Sequence, residues 1–284
     1  MMVAIGWLIA LGSVFGGFML AGGHLIIVFQ PVEYLMIFGA AIAALIAGNS
    51  PKTLKATLGG FGTAFKGSKY GKKLNMETLG LLYAIFTRAR KEGLMAIEED
   101  IDDPENSELF QSAPTVLKDH HTVEFITDYL RLMVSSTLDV HQIDNLMDLD
   151  IDTHHEEADL PRASIAKMGE ALPAFGIVAA VLGVVHTLES VHLPPEELGK
   201  LIAIALVGTF LGILAAYAFV NPVANNLEHK VSDSTKYQQS IKAALIAFMN
   251  GYPPQVAVEF GRKVLFASER PSFTELEEYL KDNK

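Results

Sequence analysis

The feature that most restricts how this chain can fold is a set of four apolar segments, each long enough to cross a lipid bilayer. A helix needs about 20 mostly apolar residues to cross roughly 30 Å of hydrocarbon. Four segments meet this requirement, and none of them contains Lys or Arg: residues 3–20, 32–48, 172–188 and 201–220. Because backbone groups inside a bilayer have no water to bond, such segments form helices. The sequence therefore predicts an all-α membrane protein with four transmembrane helices and a helical cytoplasmic domain.

A cleaved secretory signal is the alternative interpretation of the first segment. Such a signal begins with a positively charged region, whereas no Lys or Arg precedes Lys52. We therefore expect residues 3–20 to be a retained transmembrane helix.

The distribution of basic residues predicts the orientation of the chain. The short connections 21–31 and 189–200 contain only one Lys or Arg, which is Lys200. The stretch after the second apolar segment is strongly basic, with Lys52, Lys55, Lys66, Lys69, Lys72 and Lys73. Cytoplasmic loops carry the excess of Lys and Arg. We therefore expect this stretch and both termini in the cytoplasm, with the two short connections on the outer side of the membrane.

The apolar segments divide the chain into four parts. Residues 1–48 form a transmembrane hairpin, 49–168 a cytoplasmic insert, 169–222 the second transmembrane pair and 223–284 a cytoplasmic tail. The insert is too long to be a loop without structure of its own.

Helical patterns predict the secondary structure of the polar parts. Apolar residues recur at helical spacing over residues 76–90 and 123–138, and few segments alternate with period two. In the tail, Ser272 and Glu275 match a capping box that opens a last helix to about Leu280. We therefore expect helices with almost no strand.

Each apolar segment carries small residues spaced four apart, which lets helix backbones approach closely. These residues are Gly12 and Gly16; Gly39, Ala43 and Ala47; Ala179 and Gly183; and Gly208, Gly212 and Ala216. Packing within one chain explains part of this pattern. Its presence in all four segments also predicts contacts with other subunits.

Patterns typical of an enzyme, a cofactor site or a metal site are missing or incomplete. The chain has no cysteine and a net charge of −11, which argues against thiolate chemistry and nucleic-acid binding. The glycine-rich stretch 59–68 has its lysine before its last glycine, unlike a phosphate-binding loop, so we expect a flexible basic stretch beside lipid headgroups. Adjacent His154 and His155 do not match a zinc helix. We expect neither an enzyme nor a bound cofactor or metal.

The apolar segments also lack a central acid. Ionisable side chains inside a bilayer usually mark ion paths. Here they fall near segment ends: Glu33, Glu170, His186 and Glu189. If the chain helps to move an ion, the central titrating acid must come from a partner subunit.

Three residues of the last two segments each have two interpretations. Pro173 and Pro222 lack a backbone donor and could act as hinges, or they could mark helix ends. The Thr209 hydroxyl could line an ion path or bond back to a preceding carbonyl.

Several stretches resemble a known family in the same order and with similar spacing. They are Gly16-Gly17 through Gly22-Gly23, LPAFG at 172–176, VGTFLG at 207–212, VEFGRK at 258–263 and SERPSF at 268–273. On these motifs the chain resembles, over essentially its whole length, the MotA-type stator subunits of the bacterial flagellar motor. These belong to the MotA/TolQ/ExbB proton channel family.

The resemblance implies a homo-oligomer, a pentameric ring of four-span subunits around a dimer of a MotB-type partner. The single helix of that partner carries the ion-binding aspartate. Ion flow would turn the ring, which would drive rotation through the rotor protein FliG and so support motility and chemotaxis.

The resemblance also implies roles for individual residues. The matching positions are Arg90 and Glu98 for the rotor contact, Pro173 and Pro222 for hinges, and Thr209 and Tyr217 for the ion path. Sodium-driven relatives carry Thr where this chain has Ala180, and a Thr pair where it has Gly208 and Thr209. Sodium needs oxygen ligands in place of water, whereas a proton needs a titratable acid and a water chain. The loss of two hydroxyls favours protons as the transported ion.

Two other functions stay open at this point. A transducer of the ExbB or TolQ kind would also use proton energy, but those proteins have three spans and lack the first hairpin. A membrane receptor or scaffold whose acidic insert docks a partner would show no ion flux with any partner.

Overall fold

The computed structural model describes residues 2–135 and 138–282, and every regular element within them is helical. The expected all-α fold is confirmed for this part of the chain. The helices that precede the longest one are α1 (Met2–Leu20), α2 (Leu25–Val28), α3 (Pro31–Ala47), α4 (Pro51–Ala64), α5 (Lys72–Glu92), a 3₁₀ helix (Leu94–Ile97), α6 (Glu98–Asp102), α7 (Glu108–Gln111), α8 (Pro114–Leu117) and α9 (His120–Ser135). The remaining ones are α10 (Val140–Glu189), α11 (Pro195–Leu214), a π-helix (Ala215–Val220), α12 (Asn221–Met249), α13 (Pro254–Val264) and α14 (Phe273–Asp282).

The helices form two compact units. The first, called the membrane unit below, comprises Met1–Gly67 and Ala158–His229. The second, called the polar unit, comprises Ser68–Glu157 and Lys230–Lys284. Helices α10 and α12 contribute residues to both. The divisions expected from the sequence, at residues 48, 168 and 222, mark where the chain leaves the membrane and stay predictions.

Four helical stretches of the described residues are long and apolar enough to cross a membrane: Met2–Leu20, Leu25–Ala47, Val140–Glu189 and Pro195–Met249. The four predicted spans are thereby confirmed. Many of their large apolar side chains are exposed on the single chain, including Leu8, Ile26 and Leu35. Lipid or other subunits would cover such side chains.

The glycine-rich stretch expected to be flexible is mostly helical, so that expectation was wrong. The Ser50 hydroxyl caps α4 by accepting a hydrogen bond from the Thr53 amide (3.2 Å), and Pro51 occupies the first turn. Gly60 faces the Cβ of Pro161 and a methyl group of Leu227, which a Cβ at Gly60 would approach to 3.2 and 3.4 Å. Here the glycine permits close packing.

The core of the polar unit lies around α5. Leu79, Leu82 and Phe86, three of the residues that predicted this helix, are buried, and the Phe86 ring stacks on Phe248 with centroids 4.4 Å apart. On α9, Ile126 and Leu130 are fully buried. The two amphipathic helices are therefore confirmed.

The predicted ends of the helices in the polar parts of the chain lie close to the observed ends. Helix α9 ends at Ser135, before the predicted end at 138, and residues 136 and 137 lie outside the described part. The capping box is present, since the Ser272 amide donates to Glu275 Oε2 (2.7 Å) and the Glu275 amide donates to Ser272 Oγ (3.2 Å).

Candidate functional site

The last two spans approach each other most closely at three glycines of the membrane unit. A Cβ added at Gly176 of α10 would lie 2.7 Å from the Gly208 carbonyl oxygen and 3.1 Å from the Gly212 Cα. A Cβ at Gly212 of α11 would lie 2.6 Å from the Leu172 carbonyl oxygen. Because these contacts are with backbone atoms, only glycine allows the two helices to lie this close.

Two of the residues assigned to the ion path lie beside this contact. The backbone nitrogen of Ala180 would be 3.2 Å from a Cβ at Gly208, and Thr209 follows Gly208 on the same helix. Tyr217 lies further along, in the π-helix, and its side chain is 68% exposed. The structure therefore places Ala180 beside Gly208, the residue before Thr209, and leaves the Tyr217 ring on the surface of the single chain.

Both prolines lie inside helices. Pro173 is within α10, and Pro222 follows the π-helix in a helical run that continues from Pro195 to Met249. The interpretation that they mark helix ends therefore does not hold. Proline leaves the carbonyl four residues earlier without its helical partner. For Pro173 that residue is Gly169.

The helix segment that precedes Pro173 and the segment that precedes Pro222 are in contact at Gly169. The side chain of Asn221, which precedes Pro222, lies directly against the Gly169 Cα. The π-helix before Pro222 has a further contact, since Trp7 Nε1 of α1 donates to the Phe219 carbonyl oxygen (3.2 Å). Inserted π turns in long helices often occur at functional sites. The two weakened helix segments are thus in contact with each other and with α1.

Glu33 is the functional candidate that the sequence did not reveal. The sequence placed it near a segment end, and the structure places it in the first turn of α3. Its side chain is only 5% exposed, and its Oε2 has no hydrogen-bond partner among the described residues. The sequence did contain one signal for Glu33, because a carboxyl group in the first turn of a membrane span is rare. Its burial depends on helices distant in sequence.

The two residues assigned to the rotor contact lie in the polar unit, around the end of α5. Arg90 is exposed, and its Nη1 donates to the Gly251 carbonyl oxygen (3.3 Å). Glu98 is exposed and begins α6. Gly93 ends α5 with φ +93°, a backbone conformation that favours glycine. This turn leads into the 3₁₀ helix and then into α6, and both charges are exposed.

Arg88 and Asp100 join the two helices that carry these charges. Arg88 Nη1 donates to Asp100 Oδ2 (2.9 Å), and Ser107 Oγ donates to Asp100 Oδ1 (2.7 Å). The Asp100 side chain is buried, as is that of Ile101. A helix as short as α6 is not stable by itself. These contacts therefore determine where Glu98 lies relative to Arg90.

His154 of the polar unit is part of a side-chain contact and not of a metal site. Among the described residues, no group of three or more His, Cys, Asp or Glu is arranged to hold a metal ion. His154 is half-buried, and its Nε2 lies 3.3 Å from Ser234 Oγ. Burial, and secondarily the nearby charge of His121, lowers the pKa of His154. A neutral His154 is therefore favoured in the folded chain.

The chain is similar to known proteins over nearly its whole length. Two family descriptions match: Motility protein A N-terminal over residues 4–93, and the MotA/TolQ/ExbB proton channel family over residues 118–240. The chain is similar to Motility protein A of Salmonella typhimurium, with 48% identity over 281 residues that cover 99% of this chain and 95% of the relative.

Two solved structures share the fold. The C. jejuni MotAB structure has a TM-score of 0.78 at 24% identity and covers 95% of this chain and 98% of its own. The flagellar MotAB stator complex from Bacillus subtilis has a TM-score of 0.72 at 24% identity and covers 90% and 92%. At this level of identity the likeness shows the fold.

Proposed function

The chain belongs to the motility protein A family, within the MotA/TolQ/ExbB proton channel family, and on this basis we propose that it is a stator subunit of the bacterial flagellar motor. With a MotB-type partner it forms a proton-conducting, torque-generating complex that turns the rotor through FliG. It is a mechanical and ion-conducting component and has no enzymatic reaction of its own. No cofactor is required, and the transported ion is the proton.

The observation that carries this proposal is the glycine contact of the last two spans. It lies beside Ala180 and Thr209 and is flanked by Pro173 of α10. Because the hinge residue Pro173 lies next to the residues that line the ion path, passage of an ion and movement of α10 are coupled. The channel acid is supplied by the partner, because no carboxyl group lies in the middle of a predicted span.

The energy available to such a hinge is sufficient. One charge that crosses the membrane releases about 2.3 kcal/mol per 100 mV. Two packings of a switching element differ by about a few kcal/mol. One proton per step can therefore shift the hinge between two packings.

The proposal extends to assembly and location. The chain lies in the bacterial inner membrane, in contact with lipid, with both termini in the cytoplasm, and five copies surround the partner. The basic stretch after α3 supports this orientation. Gly12 and Gly16 support contacts between subunits, because a Cβ at either position would meet nothing within 4 Å. The small residues of α10 and α11, in contrast, pack within the chain.

Torque requires exposed charges that meet the rotor. Arg90 and Glu98 meet FliG, and the exposure of both residues in the polar unit supports this assignment. Replacement of Arg90 by Glu should weaken rotation and leave assembly and proton leak intact. Reversal of Glu98 to Lys should be partly rescued by a rotor charge of the opposite sign. Normal swimming of cells with Arg90→Glu would contradict the rotor contact.

The test of the main proposal is reconstitution in liposomes. We expect proton flux when the chain is combined with a one-span partner whose helix carries an aspartate, and little flux from either protein alone. Full proton flux from the chain alone would contradict the proposal. So would normal swimming of cells that lack the chain.

The ExbB or TolQ kind of transducer is the second candidate, because the family description matched over residues 118–240 includes those proteins. The match of residues 4–93 to the Motility protein A N-terminal description favours the stator. The presence of the first hairpin agrees with that choice.

A further inference from the structure

The membrane unit buries a carboxyl group that the mechanism above does not use. Glu33 belongs to the first turn of α3 and is 5% exposed. No hydrogen-bond donor among the described residues reaches its Oε2. Buried polar groups in proteins are nearly always bonded, so a bare carboxylate oxygen indicates that a donor is to be supplied from elsewhere.

The position of this oxygen shows which part of the chain the carboxyl group faces. A Cβ at Gly208 would lie 2.7 Å from Glu33 Oε2, so the carboxyl group rests against bare backbone of α11. The same Cβ would lie 3.2 Å from the Ala179 Cβ and from the Ala180 backbone nitrogen. Besides Glu33, the closest neighbours of the Gly208 position are therefore a methyl group and a backbone nitrogen, and they belong to the part of the wall that includes Ala180 and Thr209.

A structural role for Glu33 is not supported by its contacts. A carboxylate that stabilises a fold is paired with Arg, Lys or several N–H groups. The four apolar segments contain no Lys or Arg. A buried carboxyl group without such a partner lowers stability, and groups of this kind are retained in membrane proteins mainly where ions or protons pass.

We propose that Glu33 is a proton-binding site of this chain at the outer end of the ion path, and that it passes protons to the acid of the partner helix. The proposal rests on the proposed stator function. Helix α3 begins after the short connection 21–31, which is expected to face outward. A proton from outside water binds the Glu33 carboxylate and forms a neutral acid. Its O–H then donates that proton to the partner carboxylate, and Glu33 returns to the charged form.

Gly208 gains a specific role from this assignment. A methyl group there would collide with the carboxyl oxygen, since the added Cβ would lie at 2.7 Å. A side chain at this position would therefore close the place that Glu33 occupies. Glycine at position 208, in place of a residue with a hydroxyl group, therefore leaves room for the Glu33 carboxyl group.

The test uses the complex of the full chain with its partner in proteoliposomes. Glu33→Gln keeps the size of the side chain and removes the exchangeable proton. We expect proton flux to fall about threefold or more, because water alone carries protons less directly, while complex mass stays unchanged and thermal stability does not fall. Glu33→Asp should retain more flux than Glu33→Gln. The matched control is Glu189→Gln, an acid at the same side of the membrane whose side chain is 75% exposed, and it should conduct normally.

Each outcome decides the question. Flux through Glu33→Gln equal to that of the unaltered complex overturns the proposal. Failure of this isosteric variant to assemble also overturns it, because the carboxylate would then support the fold. If the unaltered complex conducts no protons, the stator proposal itself fails. A conducting complex with unaffected Glu33→Gln contradicts only the role of Glu33.

Discussion

At the scale of residues, the proposed rotor contact depends on two charges whose positions are determined by neighbouring residues that do not meet the rotor themselves. Arg90 and Glu98 are exposed, and an isolated exposed charge contributes little to stability. Their usefulness comes from their fixed arrangement, which the Arg88–Asp100 pair maintains across the turn at Gly93.

This arrangement leads to a first prediction. Arg88→Gln and Asp100→Asn should each lower torque, because α6 loses its link to α5, and the double variant should lose less than the sum of the two. Arg88→Lys should recover part of the torque. The control is Lys73→Gln, which removes an exposed charge on the same helix, where Lys73 Nζ lies 3.8 Å from Glu77 Oε1.

The measurement for this pair has two parts. Torque is read from tethered cells, and the distance between spin labels at positions 91 and 99 is measured in the purified complex. The chain contains no cysteine, so both labels can be introduced cleanly. An unchanged distance distribution in Arg88→Gln would contradict the prediction.

His154 leads to a second prediction, on pH. Burial lowers the pKa of His154 below its ordinary value of 6.5 in the folded chain. Below pH 6.5 the unfolded chain therefore binds a proton that the folded chain resists, and stability falls as the pH falls through this range. Thermal unfolding of the complex, followed by circular dichroism at pH 7.5 and 5.5, should show a smaller pH difference in His154→Gln than in the unaltered protein. If the two proteins show the same difference in melting temperature between pH 7.5 and 5.5, His154 is not the source of the pH dependence.

At the scale of elements, the last two spans combine close contact with built-in weakness. Glycines bring α10 and α11 together, while Pro173 and the π-helix before Pro222 remove regular helix bonds near that contact. Tight packing gives such a pair discrete arrangements, and the weakened bonds lower the barrier between them.

Gly176 provides the third prediction. Gly176→Ala should lower the thermal stability of the protein in detergent, since overpacking against backbone atoms typically costs about 1–3 kcal/mol. Gly12→Ala is the control, because a Cβ there would meet nothing within 4 Å. Similar melting temperatures for the two variants would show that the glycine contact is unimportant.

Pro173 provides the fourth prediction. Pro173→Ala restores a backbone donor for the Gly169 carbonyl, which stiffens α10. We expect torque to decrease over the whole speed range while the helical content by circular dichroism stays the same. A normal torque–speed curve would remove Pro173 from the hinge.

At the scale of the whole molecule, the proposed function assigns the walls of an ion path and the lever to this chain, and it assigns the central acid to a partner. Ala180 and Gly208 lack the hydroxyl groups that sodium would need. The fifth prediction follows from this composition. Swimming speed should follow the proton-motive force and should be independent of external sodium at fixed proton-motive force. A dependence on sodium would overturn the choice of ion.

The sequence by itself determined the features that depend on local composition. The four spans, the helical faces around Leu82 and Ile126, and the cap at Ser272 all follow from hydrophobic spacing and side-chain chemistry within a few residues. The motifs that indicate the family are equally local. Such features need no knowledge of which helices become neighbours.

Only the tertiary structure decided the features that depend on distant residues. It placed Pro173 and Pro222 inside helices, showed that α4 is ordered through Gly60, and linked Arg88 to Asp100. It also showed that Glu33 is buried, although its place in the sequence suggested a boundary position. Each of these depends on which atoms of another helix lie within a few ångströms, and a residue's own neighbours in the sequence do not determine that distance.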